Sequence, residues 1–348
     1  MQTQDPFPEL TMPRPRLASL TDLLRWCAGI GVAMAGAHVS AGDHIWRSQG
    51  PYGGTVRTVA VDPFQPGVLY AMSSGGLFRS EDAGDRWRRI ERGLPNPANR
   101  TALALDGDVA GRIHVFDSAG VLYRSLDQGS GWRPTGYRAP SDVIPMRIVD
   151  PPGSSTVLLI ALSADRRDVF PNSGVMILRS TDAGSGFAPV TGIPAQTGFR
   201  ELVIDPTNPT IVLAGRDGLQ PATPPAISPP LIFRSSNGGQ SFIPVYAPSV
   251  NPGLVPAVLG IAFGASDRVY ASIDGVGVLR SDDNGLTWTE LGGTAERLVA
   301  HPTLPDRVFS THREGFSRSY DGGVTWVPMN GGLFVNGNFL DPISGTPI

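Results

Sequence analysis

The chain has 348 residues, of which 43 are glycine and 33 proline, with 41 % hydrophobic residues. Glycine and proline together are too abundant for a helix-rich enzyme and too scarce for a disordered chain, while length alone allows two domains or one large all-β unit. The 28 basic residues, all arginine, face 31 acidic ones for a net charge of -3, which argues against a general nucleic-acid binder or a partner of anionic membranes.

In chain order the first feature is a leader. Arg14, Arg16 and Arg25 precede an apolar run from Trp26 to Ala37, and Val39-Ser40-Ala41 meets the small-residue rule for signal-peptidase cleavage. Residues 1–41 are therefore read as a signal peptide, with Met12 as an alternative start, and the protein as secreted or periplasmic. The apolar run is shorter than the roughly 20 residues that cross a bilayer, so no stable membrane span is expected. The sole cysteine, Cys27, lies in this leader. Its removal would leave no disulfide, thiolate metal site or cysteine nucleophile.

A repeat follows. RSEDAGDRW begins at Arg79, RSLDQGSGW at Arg124, RSTDAGSGF at Arg179, RSSNGGQSF at Arg234, RSDDNGLTW at Arg280 and RSYDGGVTW at Arg318, with successive gaps of 45, 55, 55, 46 and 38 residues. Each unit reads as four short strands. In the first, Val56–Val61 runs into Asp62-Pro63, Val68–Met72 follows a Pro-Gly turn, Leu77–Arg79 follows Ser73-Ser74-Gly75-Gly76, and Trp87–Ile90 follows the motif. The first-strand ending recurs at Asp150-Pro151, at Asp205-Pro206 and, degraded, at His301-Pro302. Four strands per unit, repeated six times, bury their apolar faces by packing sheet against sheet around an axis. The fold class is all-β: a propeller of six four-stranded blades over residues 42–348, with a partial seventh.

The six motifs resemble the Asp-box or BNR repeat, SxDxGxTW, of the sialidase-like propellers. They place Ser80, Asp82, Gly84 and Trp87 in the first box, then Ser125, Asp127, Gly129 and Trp132, and then Ser180, Asp182, Gly184 and Phe187. The remaining boxes are Ser235, Asn237, Gly239 and Phe242; Ser281, Asp283, Gly285 and Trp288; and Ser319, Asp321, Gly323 and Trp326. The residue types have a local reason: the Asp side chain accepts from amides of its own turn, the Gly permits a positive φ, and the aromatic fills space beneath the turn. Asn237 still accepts, and Phe187 and Phe242 still fill. These residues are structural, as are the six arginines directly before the box serines. Asp282-Asp283-Asn284-Gly285 lacks the spacing and terminal Glu of a calcium-binding EF-hand loop, and no metal or cofactor is expected.

The two ends do not match. His44-Ile45-Trp46-Arg47-Ser48 looks like a fourth strand and Asn338-Phe339-Leu340-Asp341-Pro342 like a first strand. Either six blades carry two accessory strands, or the chain stops inside a seventh blade, which is the reading favoured here.

The turns between strands one and two and between strands three and four share one face. The opposite face carries the variable loops, among them Ser163–Gly174 and Arg216–Pro230, and is the expected place for a protein or glycan ligand. Arg57, Arg100, Arg147, Arg200 and Arg297 recur near the starts of first strands, where a ring of guanidinium forks would make an anion site. Their unequal offsets from the following turn favour solvated strand ends instead, because an odd shift in a strand reverses the side-chain face.

Two function classes remain. Sialidases resemble the repeat and imply an arginine triad, a Tyr nucleophile with a Glu partner and an Asp acid/base; here the FRIP-type motif is missing, and Tyr52, Tyr137 and Tyr246 have no evident Glu beside them. Xyloglucan-active glucanases have similar repeats across two propellers, and this chain is too short for two. A glycosidase needs two carboxyl groups about 5 to 9.5 Å apart across a cleft, with Asp142, Asp165, Asp217 and Glu314 as loop candidates. DPxxPxxLYA ahead of RSxDxGxxW is similar to sortilin-type propellers and photosystem II assembly and stability factors, which implies a non-catalytic binding or assembly scaffold. That scaffold is the leading expectation, with a sialidase-like or xyloglucanase-like glycoside hydrolase as the alternative.

Overall fold

The computed structural model describes residues 56–95, 100–153, 158–164, 176–195, 197–218, 229–248, 256–312, 315–329, 334–335 and 338–339. The expected leader with Met12 and Cys27, the Trp46 segment, Tyr52, Asp165, Glu314 and most of the two long loops lie outside these residues.

Six four-stranded antiparallel sheets follow one another as the blades of a six-bladed β-propeller, each hydrogen-bonded in the order of its sequence. Blade 1 spans residues 56–89, blade 2 100–138, blade 3 143–189, blade 4 199–246, blade 5 258–292 and blade 6 297–328. The first strands are Val56–Val61, Arg100–Leu105, Val143–Val149, Phe199–Ile204, Val258–Phe263 and Arg297–Ala300. They pack against one another from blade to blade and so form the inner wall. Beyond blade 6, Phe334–Val335 pairs with Asn338–Phe339.

The second strands explain the stacking. Leu69–Ser73, Ile113–Asp117, Val212–Arg216 and Val269–Ile273 are buried at every residue, because a propeller blade is covered on both faces by its neighbours. Continuous apolar runs of this kind mark doubly buried strands. The core is accordingly a series of clusters between successive blades: Tyr70, Met72, Ile113 and Val115 join blades 1 and 2, and Leu213, Val258, Val269 and Ala271 join blades 4 and 5. Each fully buried Leu, Val or Ile contributes about 1.5–3 kcal/mol. The fourth strands are short and exposed. Blade 1 keeps only Arg88–Arg89 of the expected Trp87–Ile90, although the Ile90 amide still donates to the Leu77 carbonyl at 3.0 Å.

The arginine before each motif serine ties one blade to the next. Arg124, Arg179, Arg234 and Arg280 donate to the carbonyls of Ala183, Gly238, Asn284 and Gly322, and Arg79 donates to the Gln128 side chain. All five acceptors occupy the same motif position in the following blade, and that position takes a positive φ even where it holds Ala83, Gln128, Ala183 or Asn284. The sixth arginine, Arg318, lies over the ring of Tyr320 instead.

The ends of the first strands also divide. Asp62, Asp106 and Asp205 each accept from two amides two and three residues on, at 2.7–3.1 Å. His301 does the same with Nδ1, accepting from Thr303 and Leu304 at 3.2 Å, so the degraded ending keeps its cap. Asp150 does not cap a turn. Its carboxyl oxygens are buried, and burial together with the Asp106 carboxylate beside it pushes Asp150 up to about 9.

Candidate functional site

The motif turns form one face. In blade 5, Ser281 Oγ donates to Asp283 Oδ1 at 2.8 Å and accepts from the Gly285 amide at 2.8 Å. Asp283 in turn accepts from the Thr287 amide at 2.8 Å and the Thr287 hydroxyl at 2.6 Å. The glycine amide to serine bond repeats in all six copies at 2.8–3.0 Å. Asn237 fills the Asp role in blade 4, accepting from Ser235 and from the Ser241 amide. Trp132 and Phe242 are buried, and the Trp132 indole donates to the Ile90 carbonyl of the preceding blade at 2.7 Å. Amide and hydroxyl donors hold Asp82, Asp127 and Asp182 below the usual carboxylate range. The Thr325 hydroxyl and amide and the Ser319 hydroxyl bring Asp321 to about 2. An ionised carboxylate whose lone pairs are taken by its own turn is an acceptor for folding, with no proton to give a substrate.

The opposite face carries a cleft of about 490 Å³ between blades 5 and 6. One wall is the short turn Asp274-Gly275-Val276-Gly277 between the second and third strands of blade 5, and another is the connection Gly293-Thr294-Ala295-Glu296. Leu259 of the inner wall and His312 of blade 6 complete it. Asp274 and Glu296 are both exposed. The backbone of Glu296 is fixed from both sides, its amide donating to Thr311 at 2.7 Å and its carbonyl accepting from Ser272 at 3.3 Å. The Asp274 amide donates to Ala257 at 2.9 Å, and the His312 ring lies 3.0 Å from Ser317 Oγ. Gly277 lets the two walls approach, since at φ 110° a Cβ there would stand 2.7 Å from the Gly292 and Gly293 backbone. Asp274 and Glu296 thus stand on two different walls of one opening.

The inner wall just below is charged. Glu201 of blade 4 is buried and accepts from Arg147 of blade 3 at 2.8 and 3.3 Å and from Arg297 of blade 6. Arg200 is close enough to Arg297 for its charge to act there. Of the five inner-strand arginines, Arg147 and Arg297 therefore converge on Glu201, with Arg200 next to Glu201 in the chain. The other two do not: Arg57 is exposed in blade 1, and Arg100 is buried with Nη2 donating to the Pro95 carbonyl at 3.0 Å and 3.8 Å from Glu91. Residue counts back from the turn do not sort Arg57, Arg147 and Arg200, because the first strands of blades 1, 3 and 4 carry β-bulges. Arg57 and Arg200 are themselves the bulged residues, and Arg147 directly follows a bulge at Met146, so counting residues back from the turn no longer fixes the face.

Of the four loop carboxylate candidates, Asp165 and Glu314 lie outside the described residues, and Asp142 and Asp217 do not line the cleft. Asp217 accepts from Ser163 Oγ, and Asp142 is partly buried at the start of blade 3. Tyr137 packs on Phe116 and Phe187. Tyr246 does have a glutamate, donating to Glu290 Oε1 at 2.6 Å, contrary to expectation. That pair joins two outer strands, and burial and the Glu290 hydrogen bond raise the phenol pKa, the opposite of an activated nucleophile. Among the described residues no group of three or more His, Cys, Asp or Glu side chains is placed to hold a metal ion, and no helix is long and apolar enough to cross a membrane.

No family model matches the chain. It is 24 % identical over 324 residues to a xyloglucanase of Hypocrea jecorina, covering 85 % of this chain and 33 % of the relative. It is 27 % identical over 226 residues to a xyloglucanase of a Paenibacillus species, covering 54 % and 20 %. The chain thus spans a third or less of the length of these relatives. Among solved structures, an ancestral GH74 enzyme matches with a TM-score of 0.60 at 19 % identity, over 82 % of this chain and 40 % of that one. YCF48 from Cyanidioschyzon merolae matches with a TM-score of 0.58 at 14 % identity, over 84 % and 89 %. At these identities the structures show the propeller fold alone. The relatives correct the leading expectation: a non-catalytic scaffold does not fit a chain whose sequence relatives are xyloglucanases.

Proposed function

We propose that this chain is the propeller of a secreted glycoside hydrolase that acts on a β-glucan such as xyloglucan, with the cleft between blades 5 and 6 as its glycan site. The observation that carries the proposal is the exposed pair Asp274 and Glu296 on two rigid walls of one opening. One carboxyl protonates the leaving oxygen, and the other activates water or attacks the anomeric carbon. The likeness to two xyloglucanases supports the substrate class, and the reading of residues 1–41 as a signal peptide supports export. We further assign the six repeated turns to the Asp-box class, on the recurrence of the serine and glycine hydrogen bonds in every blade, with aspartate accepting in five and Asn237 in blade 4.

The test is release of reducing ends from xyloglucan, mixed-linkage β-glucan and a sialoside by the purified full chain. Release from a β-glucan, lost on Glu296→Gln or Asp274→Asn, is the expected result. Hydrolysis of the sialoside alone would replace the β-glucan reading, and no release from any of the three would overturn the hydrolase reading.

A further inference from the structure

The inner wall beneath the cleft holds more positive than negative charge. Arg147, Arg200 and Arg297 come from three different blades, and the one carboxylate among them, Glu201, is buried and already paired with two of the three. Among the described residues Arg200 has no ion pair. Burial pushes the Arg297 guanidinium below its ordinary value, and the like charges of Arg147 and Arg200 add to this against the pull of Glu201. Room is left as well. Blade 5 places Gly260 at the register position that Glu201 holds in blade 4, the first residue after the bulge, so blade 5 adds no side chain at that position. A Cβ there would lie 3.5 Å from Arg297 Cα. The arginines remain accessible, with side-chain exposures of 24 % for Arg147 and 33 % for Arg297.

Guanidinium groups gathered around too few carboxylates are completed by an anion, which they grip through paired N–H donors. We propose that this cluster is an oxyanion-binding site, taking the carboxylate of an acidic sugar or a free phosphate, with Arg200 and Arg297 as its principal donors and Glu201 as a fixed internal competitor. The site stands whether or not the cleft above it hydrolyses glycans.

Calorimetric titration of the full chain at low salt, with a glucuronic-acid disaccharide and with inorganic phosphate as separate probes, tests this. Arg200→Ala breaks no described ion pair and leaves the melting temperature unchanged. It is expected to weaken binding by at least about ten-fold, the worth of one charge-assisted hydrogen bond. Glu201→Gln is expected to tighten binding, because it removes the competing carboxylate; a site that merely needs Glu201 for shape would lose affinity instead. Binding of the disaccharide alone identifies an acidic glycan, and binding of phosphate as well identifies a general oxyanion site. Failure of both probes to bind, or binding unchanged by Arg200→Ala, overturns the proposal.

Discussion

The two faces of the propeller are built on opposite plans. On the motif face each turn satisfies itself: Ser281, Asp283, Gly285 and Thr287 exchange their hydrogen bonds within seven residues, and the bond between serine and glycine recurs five more times, with Asn237 in the Asp place in blade 4. On the cleft face the described charged groups come from different elements. Asp274, Glu296 and His312 come from two blades and a connection, and Glu201 meets Arg147 and Arg297 across 54 and 96 residues of sequence. Repetition marks what each blade needs for itself, whereas the proposed chemistry is placed where blades with different side chains face one opening.

If that division is right, the largest effects on turnover belong to the cleft face and the largest effects on stability to the other. Glu296→Gln and Asp274→Asn are each expected to lower β-glucan hydrolysis by about 10²–10⁴-fold, the range for a lost general acid or base, with unchanged thermal melting because both residues are exposed. Gly192→Ala is expected to cost about 3 kcal/mol, measured by urea unfolding, from overpacking at a positive φ. Gly192 has φ 80°, and a Cβ there would lie 1.9 Å from the Phe242 carbonyl of the next blade. Ser281→Ala, which orphans the buried Gly285 amide, is expected to cost about 1–3 kcal/mol.

Smaller and more diagnostic is the pH dependence. His114 is buried, and burial with the charges of Arg112 and Arg124 brings it to about 3 from 6.5. Its native state therefore stays neutral while the unfolded chain protonates, so stability is full above pH 6.5 and falls as the pH drops towards 3. The motif aspartates add a second loss below about pH 4, as Asp321 and its counterparts are protonated in the unfolded chain first. His114→Leu, which copies Leu159 and Leu213 at the same place opposite the motif arginine in blades 3 and 4, is expected to remove the upper part of the acid transition and leave the lower part. Urea midpoints between pH 7 and 2.5 would show it; an unchanged profile would contradict the buried neutral imidazole.

The fold was legible because its signal is repeated and local. Ser, Asp and Gly at fixed offsets need only their own turn, and Asp62-Pro63 announces the strand end that Asp62 caps. The cleft was not legible for the converse reason. The loops around Asp165 and Asp217 stand out by length, while the walls are the four-residue turn at Asp274 and the connection ending at Glu296, neither of which differs in composition from an ordinary blade turn. Glu201 sits in Phe199-Arg200-Glu201-Leu202, and only the bulge at Arg200 decides which residue faces the arginines of blades 3 and 6. A bulge is set by sheet geometry and leaves no composition to read.

The most direct measurement is a paired comparison across the two faces: xyloglucan hydrolysis and melting temperature for Glu296→Gln and for Asp283→Ala, beside the wild-type chain. The expected result is that Glu296→Gln loses turnover at an unchanged melting temperature, while Asp283→Ala melts earlier but hydrolyses normally below its transition. Turnover lost with Asp283→Ala and kept with Glu296→Gln would contradict the assignment of chemistry to the cleft and of stability to the repeat.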